Sequence, residues 1–365
     1  MRPLNDDGEM LTDDQLWVVS SSTNLDERAD GLLELGLRAA RAQRFSAAVD
    51  FLTSSIDLFE QTGANVRRGE VLYTLACALL DDSRPGDALD ASIAASEVMR
   101  THAGEGAVAN AVKMSGFALF ALDQLDEAAI AMQSALRLFE SAEQVTDVAN
   151  TTEVLADIAT RQGDYDSTVR WRFAVLTARQ QLNDPVLAGV ATTALGAALL
   201  AADRVGEAVQ YLQDAIDHWR YLRHPVLTAE SLGVLGAALR ARGDFVDALV
   251  ALTEASALLK AHDRVTCAAD IDVTLAQTLR DLGRGAEASA LEKQVQAFLR
   301  VLGQGSAVEP ESGPHGQTEP AAEFDAENTS KAPDRPLQLD FDVDPTEEPD
   351  PTVADCLPSE SETRP

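Results

Sequence analysis

Cysteine, lysine and aromatic side chains are scarce in this sequence, and long apolar runs are missing. The three cysteines, Cys77, Cys267 and Cys356, are odd in number and far apart, with no CxxC pair. That pattern argues against a disulfide framework or a zinc knuckle and fits a reducing cytoplasm. No stretch approaches the ~18 consecutive apolar residues of a membrane-spanning helix. The opening MRPLNDDGEM is acidic and lacks the apolar segment of a signal peptide. Four lysines stand against 25 arginines, a bias of GC-rich coding sequence. These features lead to the expectation of a cytoplasmic, bacterial protein. Positive charge is short overall: 29 basic residues face 60 acidic ones, for a net charge of −31. Such a chain is repelled by phosphate backbones and anionic membranes, so neither nucleic acid nor membrane is expected as a partner.

Signatures of chemistry are missing as well. His102, His218, His224, His262 and His315 form no HExxH and share no metal-ligand spacing with cysteines or carboxylates. There is no GxxxxGK[ST] and no GxSxG. Gly104-Glu105-Gly106 is a lone glycine pair with no strand before it, which does not make a dinucleotide loop. The expectation is therefore no enzyme, no cofactor and no metal.

What the sequence does have is repetition. LGLRAARAQRFSAAVDFLTSS at Leu35 returns forty residues later as LACALLDDSRPGDALDASIAA, and again at Leu195 and Leu235. One column reads Leu35, Leu75, Ser115, Leu155, Leu195, Leu235, Leu275; the next reads Gly36, Ala76, Gly116, Ala156, Gly196, Gly236, Ala276. Thirteen residues past the first column lie Ala48, Ala88, Ala128, Thr168, Ala208, Ala248 and Ala288. A loop column, Gln43, Ser83, Asp123, Gly163, Asp203, Gly243, Gly283, falls between them. Seven units fit without insertion or deletion, which identifies a repeat architecture. Each unit carries two stretches with helical spacing, Leu32, Leu35, Gly36, Ala39 and then Ala48, Leu52, Ile56, Phe59. The spacing predicts an antiparallel helix pair of about 17 and about 16 residues. Asp184-Pro185 and His224-Pro225 place proline in a first helical turn.

These columns resemble the tetratricopeptide repeat family. The leucine-glycine pair, the alanine thirteen residues beyond the leucine, the large apolar residue four later and the alanine three after that appear as Leu195, Gly196, Ala208, Leu212 and Ala215. They recur as Leu235, Gly236, Ala248, Leu252 and Ala255. The period is forty rather than the commoner thirty-four, and the family's tryptophan, tyrosine and proline columns are replaced. HEAT-like repeats have a similar length but account less well for the glycine and alanine columns. The resemblance implies an all-α fold, an α-α superhelix (a TPR-like solenoid) of about seven helix pairs.

The expected organisation is an N-terminal extension with a short capping helix at 1–23, then a solenoid at 24–303. Its units lie near 24–63, 64–103, 104–143, 144–183, 184–223, 224–263 and 264–303. A proline-rich tail at 304–365 follows, expected to be disordered, with 16 acidic against 3 basic residues. Thr12-Asp13-Asp14-Gln15 reads as a capping box with Leu11 and Leu16 as a staple, opening a helix from about Asp13 to Ser21. Unit four is irregular: Arg172 and Arg179 occupy columns that are apolar in most other units. The expectation is that Phe173 and Leu176 take over the packing while the arginines snorkel; the alternative is a kinked joint or a basic site.

In tetratricopeptide proteins the first-helix face lying on the columns of Asp30, Leu33, Leu37 and Ala40 lines a concave groove that binds partner segments. Carried over, the resemblance implies a candidate groove of Tyr73, Asn110, Lys113, Phe117, Phe120, Asn150, Glu153, Asp157 and, one position on, Arg161. Uncovered aromatics there would form an apolar patch, and asparagine can pair with a peptide backbone. The family's carboxylate clamp is not reproduced, since matching positions include Leu37, Cys77 and Asp157. In the tail, Leu337, Leu339, Phe341 and Val343 alternate with polar residues and form a candidate linear motif. The expected function is a non-enzymatic protein–protein interaction scaffold that binds an apolar or basic protein or peptide segment. Alternatives are a peptide-responsive regulatory sensor and a scaffold autoinhibited by its own tail.

Overall fold

The computed structural model describes residues 12–305. The described residues form fifteen α-helices and no strand. A short α1 (Asp13–Val19) leads into seven helix pairs: α2 (Leu25–Arg41) with α3 (Phe45–Thr62), α4 (Asn65–Asp81) with α5 (Pro85–His102), α6 (Glu105–Ala121) with α7 (Leu125–Ser141), and α8 (Val145–Arg161) with α9 (Tyr165–Gln181). The last three are α10 (Pro185–Ala201) with α11 (Val205–Tyr221), α12 (Pro225–Arg242) with α13 (Phe245–Ala261), and α14 (Val265–Asp281) with α15 (Gly285–Gly305). Each helix packs mainly on the one before and the one after it, the pattern of an α-α solenoid.

The forty-residue period is visible in the helix starts, since α2, α4, α6, α8, α10, α12 and α14 begin at 25, 65, 105, 145, 185, 225 and 265. Second helices run 17 or 18 residues before the last, slightly longer than the sixteen expected. The turns absorb the difference. One left-handed residue after each first helix reverses the chain: Gln43, Ser83, Asp123 and Asp203, or glycine at 163, 243 and 283, all have positive φ. Most unit-to-unit junctions repeat the device at Gly63, Glu143, Asn183, Arg223 and Asp263.

The glycine column has a steric cause. A Cβ on Gly196 would lie 2.6 Å from Leu212 Cγ, and Gly36, Gly116 and Gly236 meet Leu52, Met132 and Leu252 in the same way. Where the column holds alanine instead, the residue sixteen positions later is Ser92, Arg172 or Glu292 rather than a large core side chain. The alanine column is fully buried except for Thr168, which is 3% exposed. Together these small residues let each pair close around one large side chain from its second helix.

At the N-terminus the capping box is present: Gln15 Oε1 accepts from Thr12 N at 2.8 Å, and Thr12 Oγ1 accepts from Gln15 N at 3.4 Å. Leu16 is fully buried beneath α1, and Trp17 meets Phe51 of α3 edge-on at 5.8 Å. Leu11, the other half of the expected staple, lies outside the described residues, as do the tail with its Leu337–Val343 motif and Cys356. Among the described residues no helix is long and apolar enough to cross a membrane.

Candidate partner-binding groove

The helices form two layers of unequal spacing. First helices touch one another directly at α2–α4, α4–α6, α10–α12 and α12–α14, while second helices show no comparable approach. The layer whose members lie closer together is the inner one, so the first helices line the concave side. The columns of Asp30, Leu33, Leu37 and Ala40 lie on these helices and stay partly accessible in the first three units.

Tyr73, Phe117 and Phe120 are half-buried rather than openly exposed. Phe117 packs against two neighbouring core clusters, one around Met114 and Ala118 and one around Leu155 and Ile158. Tyr73 lies beside Cys77 one turn along α4; burial first, and then Cys77 and Asp147, push its hydroxyl up to about 12. Burial likewise raises the Cys77 thiol, which makes it a poor nucleophile. The Arg161 guanidinium lies 4.5 Å from the centre of the Phe120 ring and donates to Asp123 Oδ1 at 3.0 Å. Lys113 donates to Asp147 Oδ1 at 2.9 Å and sits 4.9 Å from the Phe139 ring centre. Its side chain is only 14% exposed. The Asn110 amide makes no hydrogen bond among the described residues.

Unit four differs from expectation. Phe173 does not take over the packing: it is 52% exposed, although Leu176 is buried. The arginines do not snorkel outward either. Arg179 is 7% exposed and donates through Nη2 to Asn150 Oδ1 at 2.7 Å and towards Glu153 Oε2 at 3.3 Å. Arg172 pairs with Asp157 and lies 3.5 Å from Glu153. Burial raises the Asp157 carboxyl even though Arg172 opposes the shift. Both arginines leave α9 from core columns, so their charged ends stay inside the solenoid and meet the polar face of α8. This cluster uses up Asn150 as an acceptor, together with Glu153 and Asp157. It also accompanies a thinning of the inner layer, since α8 approaches α6 and α10 less extensively than the other first helices approach their neighbours.

Two features of the inner face escaped the sequence reading. Asp30 pairs with Arg67 of the next unit, which also holds Glu70 at 2.6 Å. Glu230, in the same column as Asp30, has a buried Oε2 with no hydrogen-bond partner. Comparing the two columns pair by pair, rather than one column at a time, exposes both.

No group of three or more His, Cys, Asp or Glu among the described residues is placed to hold a metal ion. An open hollow of about 360 Å³ at the ends of α11 and α12 is lined by Arg220, His224 and Glu254 among others. Arg220 is committed there to Glu254 at 2.7 Å.

Residues 188–261, within α10 to α13, match the tetratricopeptide repeat family model. The match covers two of the seven helix pairs, and the described residues as a whole have the fold of a tetratricopeptide-like solenoid. Similar solved structures extend the likeness of fold. The apo form of RapI superposes with a TM-score of 0.64 at 13% identity, covering 79% of this chain and 79% of that one. A signal-transduction ATPase with a tetratricopeptide repeat sensor, from Pyrococcus horikoshii, gives 0.62 at 13% identity over 80% of this chain. This chain spans 45% of that larger protein. The apo quorum sensor NprR from B. thuringiensis gives 0.52 at 18% identity, covering 79% and 80%. No curated protein sequence matches the chain.

Proposed function

We propose that the chain is a non-enzymatic protein–protein interaction scaffold whose concave face binds a partner segment. One observation carries the reading. Leu37, Tyr73, Cys77, Leu80, Phe117 and Phe120 form a half-exposed apolar stripe across three successive inner helices, α2, α4 and α6. Polar neighbours in that stretch are fixed by bonds such as Lys113–Asp147 and Arg161–Asp123, so the stripe is presented without large conformational cost on binding. Side chains of a bound segment would cover the stripe, and the open Asn110 amide would fix its register. The net charge of −31 favours an apolar or basic protein or peptide over a nucleic acid or an anionic membrane.

A second reading, a peptide-responsive sensor, is favoured by the thinner inner-layer packing at α8. Inner helices before and after it are in direct contact with their own neighbours, whereas α8 is tied to its own partner α9 by charged side chains where other units close on apolar ones. Such a joint is a natural place for the two blocks to change their angle when a ligand bridges them. Two proteins of similar fold, the quorum sensor NprR and the Pyrococcus horikoshii ATPase with its repeat sensor, have a sensing role.

The test is selection of a displayed library of random linear peptides on the full chain, followed by affinity measurement with the double variant Tyr73→Ala, Phe117→Ala. The scaffold reading expects a large loss of affinity with unchanged helicity by circular dichroism. Undiminished affinity overturns groove binding. For the sensor reading, small-angle scattering should change on adding a selected peptide; an unchanged profile rules it out.

A further inference from the structure

We infer that Glu230 is the anchor for a cationic side chain, lysine or arginine, carried by the segment bound in the groove. This rests on the groove reading above and names one chemical feature of its ligand.

The solenoid supplies its own template for the site. In unit one, Asp30 sits on the inner face of α2, and Arg67 from the start of α4 donates to its carboxylate. Two hundred residues later, the same two columns hold Glu230 on α12 and Cys267 at the start of α14. The acid is kept and its arginine is gone. Glu70, the acid of the same column in unit two, shares Arg67. Glu230 therefore stands out from the earlier acids of its column: both of those hold a cation supplied by α4, and it holds none.

Its surroundings make that vacancy costly. Glu230 Oε2 is buried without a hydrogen-bond partner. The flanking positions on α12 are apolar or small, with Leu227 and Val234 buried and Gly233 packed against Ile271 of α14. The charged group acting on it is Arg264, the residue that caps the start of α14, which makes no ion pair with it. Burial pushes the carboxyl up to about 7 against the weaker opposing pull of Arg264, the behaviour of an acid with one oxygen withdrawn from water and no directly bonded cation. A buried acceptor of this kind is satisfied by a donor that brings positive charge, and a guanidinium or ammonium from the ligand would restore the pair that Asp30 makes with Arg67. The groove's stripe would then supply apolar contact in units one to three, and unit six would read charge.

The experiment extends the peptide selection. Full-length wild type and the Glu230→Gln variant are each panned against the same displayed library. Selected peptides are then measured on wild type, Glu230→Gln, Glu230→Asp and Phe117→Ala. The inference expects wild-type peptides with lysine or arginine at a fixed spacing from an apolar residue. Their affinity should fall ~30-fold or more on Glu230→Gln and recover in part on Glu230→Asp. Glu230→Gln must retain wild-type helicity and lose no thermal stability at about pH 8, which separates lost recognition from lost folding. Groove-dependent peptides that lack a basic residue, or bind Glu230→Gln unchanged, overturn the inference and leave the groove reading standing. Peptides indifferent to both Phe117→Ala and Glu230→Gln overturn the two together.

Discussion

The Glu230 carboxyl provides a test of the structure that needs no ligand. Its ionisation is raised from 4.5 to about 7 by burial, a shift worth about 3 kcal/mol. Below about pH 4.5 the group is protonated in both the folded and unfolded chain and costs nothing. Between about pH 4.5 and 7 the unfolded chain releases the proton while the folded chain keeps it, so stability falls as pH rises. Above about pH 7 the folded chain must carry the buried charge, and the full penalty is present. Glutamine has the shape of the protonated acid and never ionises. Glu230→Gln should therefore raise stability by up to about 3 kcal/mol at about pH 8 and by almost nothing at about pH 4. Urea denaturation followed by circular dichroism, with the variant and wild type compared at each pH, measures the difference. Titration of the many other carboxylates cancels in that comparison. A variant that is less stable than wild type at about pH 8, or a difference that does not change with pH, would refute the assignment of a buried, uncompensated charge.

Other consequences follow from the packing. Gly196→Ala drives a Cβ into Leu212 and should cost about 1–2 kcal/mol after its gain in helix propensity. Gly206→Ala, on the open side of α11 with nothing within 4 Å, should gain up to about 1 kcal/mol; thermal denaturation of the two variants checks the contrast. Arg172→Leu and Arg179→Phe together with Ala156→Gly give unit four the Gly36, Leu52 and Phe59 set of unit one, the glycine leaving room for the leucine. The Glu153 and Asp157 side chains are 40% and 49% exposed and can rehydrate, so the triple variant should be more stable by about 1–3 kcal/mol in the same assay, after the cost of the added glycine. Glu143→Gly relieves a left-handed conformation with φ of 56° and should gain about 1 kcal/mol in urea denaturation.

The fold was legible because its determinants are local and repeated. Leu195, Gly196 and Ala208 each do one packing task, and forty residues later Leu235, Gly236 and Ala248 do it again. The left-handed turn at Gln43, Ser83 and Asp123 was visible as a polar column, although its backbone conformation was not. The inner face was less legible because its chemistry depends on pairs from different units. Lys113 looks like an available groove cation until Asp147 is placed beside it, and Asn150 looks open until Arg179 arrives from α9. Phe173 was assigned to the core by its type alone, yet it lies in the same column as Ile93, on the outer side of the second helices, where both are exposed. Glu230 drew no notice, since one acid among 60 acidic residues is ordinary until its missing arginine is seen.

The central claim is that the concave face, rather than the outer one, binds the partner segment. Its most direct measurement is the affinity of one library-selected peptide for three full-length proteins: wild type, the groove variant Tyr73→Ala with Phe117→Ala, and an outer-face variant, Val246→Ser with Val250→Ser. Val246 and Val250 are exposed on α13 and provide an apolar surface outside the inner layer. The groove account predicts that affinity collapses in the groove variant and is unchanged in the outer-face variant. Binding that survives in the first and is lost in the second would contradict it.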